Sequence, residues 1–291
     1  MRYLLATYFL LLFINSSCQK ITLRNTKVNN VTVRTWQITV TPPPAAYTGK
    51  YLFVFIGESN SGGYAANANA TSAELAQRNK TYILNNNTFS FEPLDIGTNN
   101  NIGHVGLPNR EIVHGWELQI ANLVDSNYLD STWIVKTGQG GSNYFHWQPN
   151  NTYTSGGISV QPYNEAIKRI DSAIIKSGID SLIFFFSLGI NSAGANHDTA
   201  VVRTGHQNLI NNLRARYGNA PFVITKVPNS VSNFSGINAS LERLVPLGKV
   251  YLVETDDISR GDALHYNYAG MKVLARRMID KFVEAGYNIK K

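Results

Sequence analysis

The segment Ser181-Leu-Ile-Phe-Phe-Phe-Ser-Leu188 constrains the fold of this chain more than any other feature. Its unbroken apolar stretch, Leu182 to Phe186, rich in aromatic rings, suits a strand covered on both faces, as in a parallel sheet between helices. Four further segments read the same way: Tyr51–Ile56, Ser131–Lys136, Phe222–Val227 and Val250–Glu254. Between them lie segments with helical spacing, namely Trp116–Val124, Pro162–Ile175, His206–Tyr217 and Asn267–Ala285. In the last of these, Met271, Leu274, Ala275, Met278 and Phe282 fall opposite Lys272, Arg276, Asp280 and Lys281, which is an amphipathic pattern. Strands alternating with helices predict an α/β fold, here a three-layer α/β/α sandwich around a five-stranded parallel sheet. Residues 60 to 115 are rich in Asn, Gly and Thr and are expected to form long loops that shape a site.

With 291 residues, 43% hydrophobic and 15% charged, the chain has a globular composition and enough length for one sizeable core. Its first 17 residues read as a secretory signal, with Arg2 followed by an apolar run to Ile14 and then small residues. That run is too short to span a hydrocarbon layer of ~30 Å comfortably as a helix. Cys18, the single cysteine, stands where the signal ends. This arrangement resembles a bacterial lipoprotein signal, although Asn15 occupies the position where such signals usually carry Leu; an ordinary cleaved signal is the alternative. Export follows from either, to the cell envelope or the medium, and membrane contact is expected only through a lipid on Cys18. The remaining chain has no cysteine and so no disulfide framework. Residues 18–48 read as a tether or short N-terminal strand, with a β-prone patch from Val31 to Thr41 that closes on Pro42-Pro43-Pro44. Residues 49–291 read as one folded domain.

The net charge of +7 is scattered, with only short pairs such as Arg276-Arg277 and Lys290-Lys291. No basic stripe with interleaved aromatics exists, so a nucleic-acid partner is not expected. There is also no His-Glu-x-x-His, no clustered Cys and His, and no Gly-x-x-x-x-Gly-Lys-Ser/Thr, so neither a metal nor a nucleotide cofactor is expected.

Ligands of open parallel sheets bind at the carboxyl ends of the strands. After the successive apolar runs come Gly57-Glu58-Ser59-Asn60, then Gly138-Gln139-Gly140-Gly141-Ser142, then Gly189-Ile190-Asn191-Ser192, and finally Asp262-Ala263-Leu264-His265. Ser59 is not in a Gly-x-Ser-x-Gly elbow, because residue 61 is Ser. Taken together, these blocks resemble those of the SGNH (GDSL-type) hydrolases, which carry Ser, Gly, Asn and His in this order. Gly140-Gly141-Ser142 followed by Trp147 is closest to the form found in carbohydrate acetylesterases of the sialate and xylan type. The resemblance spans residues 50 to 285.

The resemblance implies an esterase that removes acetyl groups from carbohydrate through an acyl-serine intermediate, without a cofactor. It implies Ser59 as nucleophile, His265 as base and Asp262 as the partner of the imidazole. The oxyanion hole would consist of the Ser59 N–H, the Gly141 N–H and the Asn191 side-chain amide. Several alternatives stand beside these. Ser61 could be the nucleophile, Gly140 the donor, Asn191 a turn residue and His265 a loop histidine. Trp147 is either a platform for a sugar or a core residue. Glu58 replaces the usual Asp or Gln, and Ser192 replaces the usual Asp, which keeps open a non-catalytic glycan-binding protein on an esterase scaffold. A lipid or thioester acyl hydrolase of the same fold is the other alternative. His104, His114, His146, His197 and His206 lack an Asp three residues before them, and His114 is assigned only packing or cleft lining.

Overall fold

The structure is a computed structural model that describes residues 19–28, 31–40, 51–76, 80–95, 113–127, 131–155 and 157–287. The expected signal, Cys18, Pro42–Pro44 and His104 lie outside the described residues. The chain forms two compact units, the second beginning at Gly49.

In the first unit, β1 (Gln19–Val28) and β2 (Val31–Val40) pair antiparallel, with Val28 opposite Val31. The β-prone patch seen in the sequence therefore has a partner. The alternation Lys20-Ile21-Thr22-Leu23-Arg24 suits such a strand, although its polar residues mask it in a search for apolar runs.

In the second unit the elements follow in order: β3 (Leu52–Gly57), α1 (Ser59–Gly62), β4 (Ala65–Ala66), α2 (Ser72–Leu75), β5 (Thr81–Leu84), β6 (Phe91–Pro93) and β7 (Val113–His114). Next come α3 (Trp116–Asn127), β8 (Thr132–Lys136), β9 (Tyr153–Ser155), β10 (Ile158–Val160), α4 (Pro162–Ser177), β11 (Leu182–Ser187) and α5 (Ile190–Gly194). The chain continues through α6 (Thr199–Tyr217), β12 (Phe222–Thr225), α7 (Phe234–Glu242), β13 (Val250–Val253) and α8 (Tyr268–Glu284).

The main sheet has seven strands in the order β13-β12-β11-β3-β8-β5-β6. All neighbours are parallel except β6, which runs antiparallel to β5. The five strands read from the sequence are β3, β8, β11, β12 and β13, and they stand in the spatial order 2-1-3-4-5 of the flavodoxin-like sheets. The expected count of five is corrected by β5 and β6, which extend the sheet beyond β8 inside a stretch read as loop. Thr81-Tyr-Ile-Leu84 is too short to register as an apolar run, and the turn after it is held by Asn85, whose Oδ1 accepts the N–H groups of Asn87 and Thr88.

The alternation along β3 explains why its sequence is continuously apolar. Leu52, Val54 and Ile56 belong to a core shared with Ile170 and Ala173 of α4 and Leu209 and Leu213 of α6. Phe53 and Phe55 turn to the other face, where Phe55 meets Trp116 of α3 edge-on at 6.1 Å and Phe53 meets Phe282 of α8 at 6.5 Å. Burying one such side chain contributes about 1.5–3 kcal/mol. Helix α6 starts ahead of the expected His206 because Asp198 caps it, its Oδ1 accepting the N–H groups of Ala200 and Val201.

From β3 the chain first builds the β8 side of the sheet and then crosses back to β11. The two crossovers part at the carboxyl end of β3, where a crevice forms in a doubly wound sheet.

Candidate active site

Gly57, at the end of β3, has φ 132°, and a Cβ there would lie 1.8 Å from the Ser187 carbonyl oxygen. Only glycine lets the strand close this tightly on β11 before turning into α1. The turn places Glu58, Ser59, Asn60 and Ser61 over the crevice, all of them buried. The Ser61 hydroxyl donates to the Ile56 carbonyl at 2.8 Å and is thereby occupied inside the turn. Ser59 Oγ instead lies 3.0 Å from His265 Nε2, although the two residues are 206 positions apart.

His265 is supplied by the loop that follows β13. Its Nδ1 lies 2.8 Å from Asp262 Oδ2, while Asp262 Oδ1 accepts the backbone N–H groups of Leu264 and His265, each at 2.7 Å. Burial works to raise the Asp262 carboxyl, but the His265 ring and the two amides outweigh it and hold it below its ordinary value. Its ionised state therefore fixes Nδ1 as the protonated nitrogen and leaves Nε2 facing the hydroxyl.

Two residues that sequence reasoning did not single out hold this loop in place. Asn60 donates from Nδ2 to the Leu264 carbonyl at 2.9 Å, and its Oδ1 accepts the Tyr266 N–H at 3.3 Å, so it grips the chain on both sides of His265. The Tyr64 ring stacks on the His265 imidazole with centroids 4.0 Å apart and planes 9° from parallel. Asn60 stood next to the candidate nucleophile, yet nothing in a linear reading pairs it with residues 204 positions later.

The second and third blocks line the same crevice. Gln139 N–H donates to the Gly57 carbonyl at 2.8 Å, joining the loop after β8 to the end of β3. Gly141 has φ 75°, a left-handed conformation that favours glycine. It is exposed where Gly140 is buried, and neither its N–H nor that of Ser59 has an acceptor among the described residues. Both are therefore donors open to an incoming oxygen.

Glu58 ties the first block to the third. Its Oε1 accepts the N–H groups of Gly189 at 3.0 Å and Ile190 at 2.7 Å. Its Oε2 accepts the Asn191 N–H at 3.0 Å and Asn191 Nδ2 at 2.5 Å. Burial pushes this carboxyl up to about 7, against four hydrogen bonds that favour its charged form. The departure from Asp or Gln thus has a structural role as a clamp. Asn191 Nδ2 also donates to the Ser142 carbonyl at 2.8 Å. Both of its hydrogens are engaged, so to reach a substrate oxygen it must exchange one of these acceptors. Ser192 is fully buried, and its Oγ has no partner among the described residues.

Trp147 corrects the reading of it as a sugar platform. It is 1% exposed, packs in the core, and donates from Nε1 to Ser142 Oγ at 2.9 Å. Its ring offers no face to a ligand and instead fixes the loop that carries Gly141. Further from Ser59, His265 and Asp262, Lys136 and Glu117 form a buried ion pair at 2.8 Å. Burial alone would raise the Glu117 carboxyl, but the Lys136 ammonium outweighs it and keeps it ionised. His114 is buried, its Nδ1 is 2.7 Å from Asn67 Oδ1, and burial lowers its pKa to about 4, so it is neutral and serves packing. Among the described residues no group of three or more His, Cys, Asp and Glu could hold a metal ion. No helix among them is long and apolar enough to cross a membrane.

The model of one protein family, described as carbohydrate esterase, sialic acid-specific acetylesterase, matches residues 49–284. A protein of known structure from Arabidopsis thaliana is 14% identical and superposes with a TM-score of 0.62, covering 81% of this chain and 98% of that one. A family two carbohydrate esterase from Clostridium thermocellum, in complex with cellohexaose, is 15% identical with a TM-score of 0.46, covering 88% of this chain and 71% of that one. A lipase/acylhydrolase from Enterococcus faecalis is 11% identical with a TM-score of 0.45, covering 84% of this chain and the whole of that one. At such identities the Arabidopsis likeness is one of fold alone. No curated protein matches the chain significantly by sequence.

Proposed function

The chain belongs to the carbohydrate esterase family of sialic acid-specific acetylesterases and is a carboxylic ester hydrolase, and from that premise we propose that it removes acetyl groups from carbohydrate through an acyl-Ser59 intermediate. The observation that carries this reading is the contact between His265 Nε2 and Ser59 Oγ at 3.0 Å, with Asp262 on the opposite ring nitrogen at 2.8 Å.

In the first half-reaction His265 takes the Ser59 proton as the hydroxyl attacks the ester carbonyl carbon. The imidazolium is held by Asp262. The negative oxygen that forms is met by the Ser59 and Gly141 N–H groups. Asn191 turns one amide hydrogen to it in place of the Ser142 carbonyl. Each such donor typically contributes ~3 kcal/mol to the transition state. Collapse breaks the bond to the alkoxy oxygen, which takes the proton from His265 and leaves as the sugar hydroxyl. In the second half-reaction water replaces the sugar, His265 removes its proton, and acetate is released as Ser59 regains its hydrogen.

The family description supports acetylated carbohydrate as the substrate class, and the free N–H donors support an oxyanion intermediate. Export completes the reading, to the cell envelope through a lipid on Cys18 or, with an ordinary cleaved signal, to the medium. It rests on the order of Arg2, the apolar run and Cys18, and Cys18→Ser should release the protein from the membrane fraction.

Ser59→Ala should abolish hydrolysis of an aryl acetate while leaving the melting temperature unchanged; retained turnover would refute the assignment. Aryl esters of increasing length separate the readings, since a preference for long acyl chains would favour a lipid or thioester hydrolase. Acetate release from a panel of acetylated glycans then identifies the sugar.

A further inference from the structure

We propose that the hydroxyl of Tyr153 hydrogen-bonds the carbohydrate part of the substrate beside the scissile ester, making Tyr153 a specificity-determining residue. This rests on the acetylesterase reading given above and adds the group that distinguishes a sugar ester from a simple one.

Gly141 points to it. A Cβ built on Gly141 would lie 2.2 Å from the Tyr153 hydroxyl oxygen. The phenol therefore covers the side-chain face of Gly141, the residue whose N–H is assigned to the oxyanion in the reading above. The left-handed φ at Gly141 already favours glycine, and the Tyr153 hydroxyl occupies the space that any side chain would need.

The ring is fixed while the hydroxyl is not engaged. Tyr153 lies in β9, opposite Val160 of β10. Its ring meets His146 edge-on, with centroids 5.1 Å apart and planes at 88°. His146 is itself set by the loop after β8, its Nδ1 accepting the Asn143 N–H at 3.1 Å. By contrast, the Tyr153 hydroxyl has no hydrogen-bond partner among the described residues. A half-buried phenol held by its ring, with a free O–H next to the oxyanion site, is placed to bond something that arrives with the substrate.

The chemistry selects what that is. A hydroxyl both donates and accepts, so it complements a sugar hydroxyl next to the acetylated one in either direction. An aryl or alkyl ester has no such group to offer. Trp147 cannot take this role, because it is buried behind Ser142. Sites that bond a substrate hydroxyl reject analogues lacking it much more strongly than apolar pockets reject a missing methylene.

The test compares Tyr153→Phe with the wild type on two substrates. One is an aryl acetate and the other a mono-O-acetylated methyl glycoside with free neighbouring hydroxyls. Removing one neutral hydrogen bond should lower kcat/KM on the sugar ester about tenfold. Turnover of the aryl acetate should stay within about twofold, since the phenyl ring keeps its contact with His146. Equal losses on both substrates would assign Tyr153 a structural role and overturn the proposal, as would no loss on either. The wild-type arms test the underlying reading separately. Hydrolysis of the aryl acetate but not of the sugar ester would remove the carbohydrate assignment and this proposal with it. Hydrolysis of neither would remove the esterase mechanism itself.

Discussion

Every residue from Tyr51 to Gly63 is buried, whereas every residue from Gly261 to Leu264 is exposed and His265 is only half-buried. The Ser59 block and the His265 block therefore reach the same point by different physical means. The first is an extension of the central strand, immobilised by close packing, by the Gly57 contact with β11 and by the Glu58 clamp on α5. The second is a surface loop with little apolar burial, held by a few polar anchors. These are Asn60 on Leu264 and Tyr266, Ser230 Oγ on the Ala263 carbonyl at 2.7 Å, the Gly261 N–H on the His265 carbonyl at 2.9 Å, and the Tyr64 stack. Precision on the Ser59 side is a property of the core, while on the His265 side it depends on identifiable single contacts.

Substitutions at four positions probe that contrast, in descending order of effect. Asp262→Asn removes the charge that orients the imidazole and should lower kcat about 10⁴-fold with the fold intact. A loss below about tenfold would mean that the loop backbone alone orients His265. Glu58→Gln probes the buried side through stability. Because burial holds the Glu58 carboxyl up at about 7, above its ordinary 4.5, folding favours its protonated form. That contribution is complete below pH 4.5 and is lost as the pH rises through about 7. The wild type should therefore lose up to about 3 kcal/mol relative to Glu58→Gln between pH 5 and pH 8, measured by urea unfolding. Parallel pH profiles would place the clamp outside the stability account.

Asn60→Ala releases both flanks of His265 and should reduce kcat roughly 10²-fold, because misplacing a reacting group by about 1 Å has that effect. A loss confined to KM would show that Asn60 serves binding instead. Tyr64→Leu should cost about tenfold in kcat, with Tyr64→Phe close to wild type, since the face of the ring and not its hydroxyl meets the imidazole. Equal losses in the two variants would assign the effect to the hydroxyl.

The same contrast explains what the sequence made legible. Leu182–Ser187 and Leu52–Gly57 are buried on both faces, so their apolar runs announce them, and the glycine-rich turns after them mark the crevice. The four blocks could be read because each follows a strand whose burial leaves a plain signature. Strands β5 and β6 could not, because four and three residues are too few for a continuous apolar run to show. Helix α7 is equally hidden, since Phe234-Ser-Gly-Ile-Asn-Ala-Ser-Leu-Glu242 is short and carries a Gly and two Ser. The anchors of the base loop left no trace at all. Asn60 with Leu264 and Tyr64 with His265 are contacts across some two hundred residues, and an Asn or a Tyr in a loop has no period to betray its partner. The Trp147 correction has the same origin, because Gly-Gly-Ser followed by Trp fixes a sequence spacing but not the side of the loop on which the indole packs.

If Ser59 is the hydroxyl that His265 activates, an active-site-directed aryl phosphonate will mark that side chain and no other. Peptide mapping of the labelled protein should place one adduct on Ser59, with labelling lost in His265→Ala. An adduct on Ser61 or on another residue, or labelling of Ser59 that persists without His265, would contradict it.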